Sequence, residues 1–295
     1  MLARDLKWGM SVCCFEDVSR ETMEMLADVG ASVLEISLKP SNLARLDFAQ
    51  AAKDAAASGI VLWSLHLPFY PNTVVNPASL DAGVRENTLK THGEYIKKAA
   101  AAGVSVAVVH PSNGPIDDRD ASMCYAKEVL AELADTAAHA GITLAVENMT
   151  RTGLGCRSCE LLDLLSADDR LRVCFDSNHP LLENPCDYFH AVAERVVTLH
   201  LSDYDGLNER HWLPGTGIID WKRLVTELEA ANYAGPWMYE IDLVENENLS
   251  HPPIALSQVR DNRDALTSRL PTRPIGVINR ENCMKNSFYP EVQYG

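Results

Sequence analysis

The chain has 295 residues, 46% hydrophobic and 23% charged. That exceeds the roughly 100–200 residues of an ordinary domain but suits one α/β barrel of about 250 residues with an extension. The 26 basic and 41 acidic residues leave a net charge of −15 with no Lys/Arg run shaped like a phosphate-backbone footprint, so extended contact with nucleic acid or an anionic membrane is disfavoured.

The first 30 residues have no basic start leading into a long apolar segment, and no stretch of about 18 apolar residues occurs, so a cytoplasmic protein is expected. Its eight cysteines are read as thiols, because a chain this long buries a core without disulfides. Short apolar runs then alternate with amphipathic ones. In chain order the strand candidates are "LKWGMSVCC", "ASVLEISL", "IVLWSLHL", "VSVAVVH", "ITLAVEN", "LRVCFD", "RVVTLHLSD" and "PWMYEIDL". Eight strands separated by helical segments predict a closed (β/α)8 TIM barrel with a parallel sheet.

The helical spacing is plain in "DWKRLVTELEAANYAG", where Trp221, Leu224, Val225 and Leu228 fall at i, i+3, i+4 and i+7. Gly30, Gly59, Gly103, Gly141 and Gly235 each precede a strand, where a helix C-cap needs a left-handed residue. Cys156 and Cys159 make a Cys-x-x-Cys pair, but no second pair completes a four-thiolate site, and "CELLDLL" reads as a helix start. A last helix is expected over roughly 254–269. The catalytic domain is thus placed at 1–270, with 271–295 as an arm packing on the barrel or on a partner subunit.

Barrel active sites lie at the C-terminal ends of the strands. Those positions hold Glu35, His66, His110, Glu147, Asp176 with His179, His200 with Asp203, and Glu240 with Asp242. Glu35 and Asp242 are read as caps or satisfied polar groups. The rest converge on one rim, where carboxylates would repel one another without a cation. Glu147, Asp176, His200 and Glu240 make a mixed oxygen and nitrogen set without thiolate, suited to one divalent ion, Mn²⁺ first and Mg²⁺, Co²⁺ or Zn²⁺ as alternatives. His179, on the turn beyond Asp176, is expected to face the substrate or a second ion.

The ordered set "HLPFY", "VVHPS", "AVENM", "FDSNH", "LHLSD", "RHWLPGTGIIDW" and "YEIDL" resembles the sugar isomerase/epimerase superfamily, the xylose isomerase-like TIM barrels that include the apurinic endonucleases. The resemblance covers about residues 5–270. It implies metal ligation by Glu147, Asp176, His200 and Glu240, acid/base roles for Glu147 and Glu240, and substrate contact by His179 and His211. It also implies a possible homo-oligomer, since members of the group often form dimers or tetramers. Ketohexose 3-epimerases of this group carry a Glu where this chain has Gly153 and an Arg where it has His211, which points away from that activity. His66, His110 and His211 look like the additional ligands of the three-zinc apurinic endonucleases, although Glu209 stands at an Asp position.

Two classes of function follow. The first is a metal-dependent isomerase or epimerase of a sugar or sugar phosphate, in which Glu147 and Glu240 move protons through a metal-stabilised enediolate while His66, His110, His179 and His211 bind substrate. Trp8, Trp63, Phe69, Tyr70 and Trp212 are candidates for an apolar wall, and Phe69, Tyr70, Asn72, Asn113 and Arg151 for selecting the sugar. The second is an apurinic-endonuclease-like phosphodiesterase, which the −15 charge disfavours. A non-catalytic sugar-binding barrel would not need the paired glutamates. "LPGTGIID" has two glycines but no following Lys-Ser/Thr, and is read as a turn or lid beside His211 within reach of a substrate phosphate.

Overall fold

Each apolar run becomes a parallel strand: β1 Trp8–Ser11, β2 Val33–Ile36, β3 Val61–His66, β4 Val106–Val109, β5 Thr143–Glu147, β6 Arg172–Asp176, β7 Val196–His200 and β8 Trp237–Tyr239. The computed structural model describes residues 6–15, 17–244 and 252–272, with the backbone of 249–250 and 277–278. The sheet runs β7-β6-β5-β4-β3-β2-β1-β8, and a parallel bridge between Leu201 and Tyr239 joins its ends into a barrel.

Helices cover the outside: α1 Arg20–Asp28, α2 Pro40–Leu43, α3 Phe48–Ser58, α4 Ala82–Ala101, α5 Arg119–Ala140, α6 Ser158–Leu165, α7 Pro185–Val192, α8 Trp221–Ala230 and α9 Leu256–Thr267. Their starts are locally encoded. Side chains of Ser19, Asp47, Asp81, Asp118, Asn184 and Asp220 each accept an N–H of the first turn, groups that otherwise lack a partner. In α8 the expected stripe of Trp221, Leu224, Val225 and Leu228 is buried.

Left-handed glycines do end helices at Gly59 and Gly141. Gly235 does not follow that expectation. The left-handed residue after α8 is Asn232, with φ of 52°. Gly235 is needed for space, because a Cβ there would stand 2.5 Å from the carbonyl oxygen of Val197. Cys156 is buried and Cys159 exposed across the start of α6, and neither joins a cluster of three metal-ligating groups among the described residues. Of the expected arm, Val277–Ile278 (β10) pairs antiparallel with Leu249–Ser250 (β9); beyond residue 272 the rest lies outside the described residues.

The two-residue period of the strands places the site. Val106, Val108, Ala145 and Cys174 form a small apolar cluster with Trp63, apart from the larger core beneath the helices. Continuing that inner parity by two residues leads from Val108 to His110, from Ala145 to Glu147 and from Cys174 to Asp176. The polar strand ends are therefore the top layer of the barrel interior. Between β2 and β3 the register shifts, with Leu34 opposite Leu62 but Glu35 opposite Ser64. Trp63 is the extra residue, and such a bulge re-aims the end of a strand.

Candidate active site

His200, fully buried at the end of β7, lies at the centre of the polar layer. Its Nδ1 is 3.0 Å from Glu147 Oε1, 3.1 Å from Glu240 Oε2 and 3.9 Å from Asp176 Oδ2. One ligand atom from each of these four residues lies within 4.8 Å of all the others, so the expected quartet is brought together. Asp176 is fixed by its neighbours: Asn148 accepts its backbone N–H and donates to its carbonyl oxygen, while Asp176 Oδ1 accepts from Asn178 N at 2.6 Å. Its Oδ2 is buried and has no hydrogen-bond partner.

The four expected substrate-binding histidines surround this quartet. His66 donates from Nδ1 to the Leu67 carbonyl, and its Nε2 is 3.0 Å from Glu147 Oε2; His110 Nε2 is 3.1 Å from the same oxygen. His179 donates from Nδ1 to the Asn148 carbonyl at 2.7 Å, with Nε2 at 3.5 Å from both Asp176 Oδ2 and Glu209 Oε1. His211, at a left-handed φ of 49°, donates from Nδ1 to the Glu240 carbonyl and sets Nε2 2.8 Å from Glu209 Oε1. Three further groups of three potential ligands result among the described residues, His66–His110–Glu147, His179–Glu209–His211 and Glu147–Cys174–His200, the last including a buried thiol.

Electrostatics separate the carboxyls. Burial opposes ionisation of Glu147, but His200 and His110 hold it well below the usual range. Burial also opposes charge on Glu240, and His200 brings it down to about 2. Asp176 moves the other way: burial, reinforced by Glu240 and Glu147, pushes it up to about 7 despite the pull of His179. Burial works against charge on His179, yet Asp176 and Glu209 lift it to about 10. Asp176 is thus the carboxylate whose charge is least compensated, and its bare oxygen points to where a cation is needed.

Above this layer opens a cavity of about 1280 Å³. All five residues expected to select the substrate, Phe69, Tyr70, Asn72, Asn113 and Arg151, line it, together with Cys13 and Asp242. The Phe69 ring stands 4.6 Å from that of His110 and 5.1 Å from that of His66. The loop carrying Phe69 is pinned from behind by His92 of α4, which is buried and donates from Nε2 to the Pro68 carbonyl at 2.8 Å. Burial pushes the His92 pKa down to about 4.

Several expectations are corrected. Trp8 and Trp212 are buried and Trp63 is bonded to Thr198 inside the barrel, so none of the three borders the cavity. Asp203 is not a site group. Its carboxylate collects N–H groups from Tyr204, Gly215, Ile219 and the Trp221 indole, so the "LPGTGIID" loop folds around a carboxylate. A Cβ on Gly217 would sit 2.3 Å from Asp203 Oδ1, and neither glycine lines the cavity. Glu35, read as a cap or a satisfied polar group, is the latter on one oxygen: it is fully buried, accepts from Ser64 Oγ at 2.7 Å, and its Oε1 lies 2.9 Å from His200 Nε2. Its signal was a charged residue inside the apolar run "VLEI". Ser64 and Asn148 carried none, because their partners come from other strands.

The sequence profile of the xylose isomerase-like TIM barrel matches residues 23–261. The chain belongs to that family. Among members and likenesses, an uncharacterized protein of Methanocaldococcus jannaschii is 27% identical over 267 residues, covering 83% of this chain and 85% of its own length. The fructoselysine 3-epimerase of Escherichia coli O157:H7 is 26% identical over 140 residues, 45% of this chain and 51% of that enzyme. The crystal structure of a D-tagatose 3-epimerase-like protein matches with a TM-score of 0.74 at 21% identity, over 90% of this chain and 98% of that one, a likeness of fold. No helix among the described residues is long and apolar enough to cross a membrane.

Proposed function

We propose that this barrel is a divalent-metal-dependent isomerase or epimerase of a sugar, sugar conjugate or sugar phosphate, acting in the cytoplasm. One observation carries the reading: the buried Asp176 Oδ2, which accepts no hydrogen bond, beside Glu147, His200 and Glu240. The edges of 3.0 and 3.1 Å at His200 Nδ1 match the separation of adjacent ligands around an ion with bonds of about 2.1 Å, so the residues fit such an ion. The names of the fructoselysine 3-epimerase and of the D-tagatose 3-epimerase-like protein support the choice of chemistry.

Glu147, Asp176, His200 and Glu240 would hold Mn²⁺, or Mg²⁺, Co²⁺ or Zn²⁺. A bound ion supplies a Lewis acid for neighbouring substrate oxygens. The chain's own part is proton transfer. Glu147 and Glu240 come from β5 and from the residue just after β8, well apart around the barrel, and both are held ionised by the histidines around them. One, as the carboxylate, takes the carbon-bound proton, and the other, which must first gain a proton from solvent through the cavity, gives it to the enediolate; the first then releases its proton to solvent. Glu240, at 8% exposure, is the more open of the two, whereas Glu147 is 1% exposed with its Oε2 between His66 and His110. Phe69 and Tyr70 offer apolar faces at the cavity wall. The decisive experiment incubates metal-loaded protein with candidate ketoses, including fructosyl-amine conjugates, in D₂O. Metal-dependent uptake of deuterium at carbon supports the reading; none with any substrate, in protein shown to be loaded, counts against it.

A second reading, a phosphodiesterase resembling the apurinic endonucleases, is favoured by two of the additional ligand groups, His66–His110–Glu147 and His179–Glu209–His211. Several ions stabilise both attacking and leaving oxygens in phosphodiester cleavage. Three ions per chain with cleavage of abasic DNA at low salt would replace the isomerase reading; one ion without cleavage would retain it.

A further inference from the structure

Two adjacent cysteines stand at the end of β1, and the chemistry proposed above uses neither. They close the short turn Val12–Cys14, in which Val12 is buried and Cys13 and Cys14 are both exposed. Cys13 lines the cavity above the quartet. Each thiol perturbs the other: Cys13 holds Cys14 below its ordinary pKa, and Cys14 pushes Cys13 above its own, so the two side chains lie close together. Neighbouring Cα atoms are about 3.8 Å apart, short of the roughly 4.4–6.8 Å usual for a disulfide, which makes a direct S–S bond between them strained and easily reduced. A bridging atom removes that constraint, because each sulfur bonds the bridge and not its neighbour. The pair is therefore suited to share one soft, thiophilic atom. Cys156 and Cys159 offer no equivalent, since Cys156 is buried with its thiol bonded to Glu160 at 3.6 Å.

We infer that Cys13 and Cys14 together form a covalent binding site on the cavity wall for a bridging thiophile of the trivalent arsenical class. With an organic arsenoxide, each sulfur forms a bond to arsenic and the arsenic–oxygen bond breaks. The two thiol protons leave with that oxygen as water, so no oxidant or reductant is consumed. The bound group stands where Cys13 borders the cavity, and it narrows the approach to the quartet beneath. That last consequence for turnover rests on the sugar reading of the site; the chelation itself does not.

The test titrates reduced, full-length protein with phenylarsine oxide and reads the adduct by intact mass. One adduct per chain is expected, surviving an excess of a monothiol and removed by 2,3-dimercaptopropanol. Cys13→Ser and Cys14→Ser each leave one sulfur, and the loss of the second, intramolecular bond should weaken retention by about 100-fold or more. Cys156→Ser should retain the adduct as the parent does. No monothiol-resistant adduct in the parent, its survival in both serine variants at Cys13 and Cys14, or its loss in Cys156→Ser overturns the site. Metal-dependent deuterium uptake by a ketose should fall in the parent as the adduct forms and return when the dithiol removes it; unchanged uptake at full occupancy overturns the placement on the cavity wall. Failure of the sugar reading is distinguishable, because the mass measurement needs no substrate.

Discussion

His92 offers a pH-dependent signature that does not depend on the identity of the substrate. Buried on α4, with its N–H given to the Pro68 carbonyl, it is held near a pKa of about 4 by burial, against 6.5 for a free histidine. The unfolded chain therefore binds a proton at this residue that the folded chain refuses. Stability from His92 is complete above pH 6.5 and is lost as pH falls from there toward 4. The gap of 6.5 less about 4 corresponds to about 3 kcal/mol at full protonation, and about 2 kcal/mol is already lost at pH 5. His92→Gln retains a donor for Pro68 without a titrating group, so its unfolding free energy should fall less steeply with acid. Urea unfolding of metal-free parent and variant at pH 7.5 and pH 5 measures this, since titrations elsewhere largely cancel in the double difference. The variant's deficit at pH 7.5 should shrink by about 2 kcal/mol at pH 5. A deficit constant to within about 0.5 kcal/mol, of the order to which independent effects usually add, would show that His92 is not held neutral by burial.

Glu147→Gln and Glu240→Gln should each slow exchange of a substrate carbon-bound proton by about 100-fold or more, followed by deuterium uptake, with circular dichroism confirming the fold. Metal affinity must be measured in both, because both side chains border the proposed ion. Chelation should abolish turnover, and Mn²⁺, Mg²⁺ or Co²⁺ should restore it; full activity in protein shown by elemental analysis to be metal-free would refute the dependence. Gly9→Ala should destabilise the barrel by about 1–3 kcal/mol or more in thermal unfolding, because its Cβ would sit 1.7 Å from the Val33 carbonyl oxygen on the neighbouring strand. Asp203→Ala should loosen residues 204–221, read as faster amide exchange at Gly215 and Ile219, by removing the acceptor that gathers four N–H groups.

The barrel was legible because its signal is repeated. Eight apolar runs alternate with amphipathic helices, and the polar residue ending a run falls on the inner parity by the same two-residue step that buries Val106 and Val108. Strand position placed the quartet among the residues at the strand ends, and its donor chemistry together with the family resemblance singled it out. Contacts made across strands did not follow. Glu35 reads only as a cap or a satisfied polar group because nothing near it in sequence shows that a bulge at Trp63 turns Ser64 toward it, or that His200 stands opposite. Asp203 misled for the converse reason: it is a carboxylate just past a strand end, but its partners lie up to 18 residues downstream and turn it away from the site. The tryptophans misled because periodicity separates buried from exposed positions but does not distinguish the inside of a barrel from its mouth.

The closing bridge between Leu201 and Tyr239 has a consequence for the order in which the molecule becomes competent during synthesis. Glu147, Asp176 and His200 leave the ribosome well before Glu240, which stands one residue beyond β8. Any nascent chain short of that point presents at most three of the four groups and an open edge on each of β7 and β1. Assembly of the full charge cluster and closure of the cylinder are therefore one event. An ion that binds the complete set and not the partial one stabilises the closed barrel of the full chain over its open form by about 2.7 kcal/mol when present at a hundred times its dissociation constant. Under the metal reading, the same ion that serves chemistry also acts as a check that the last strand has reached its place.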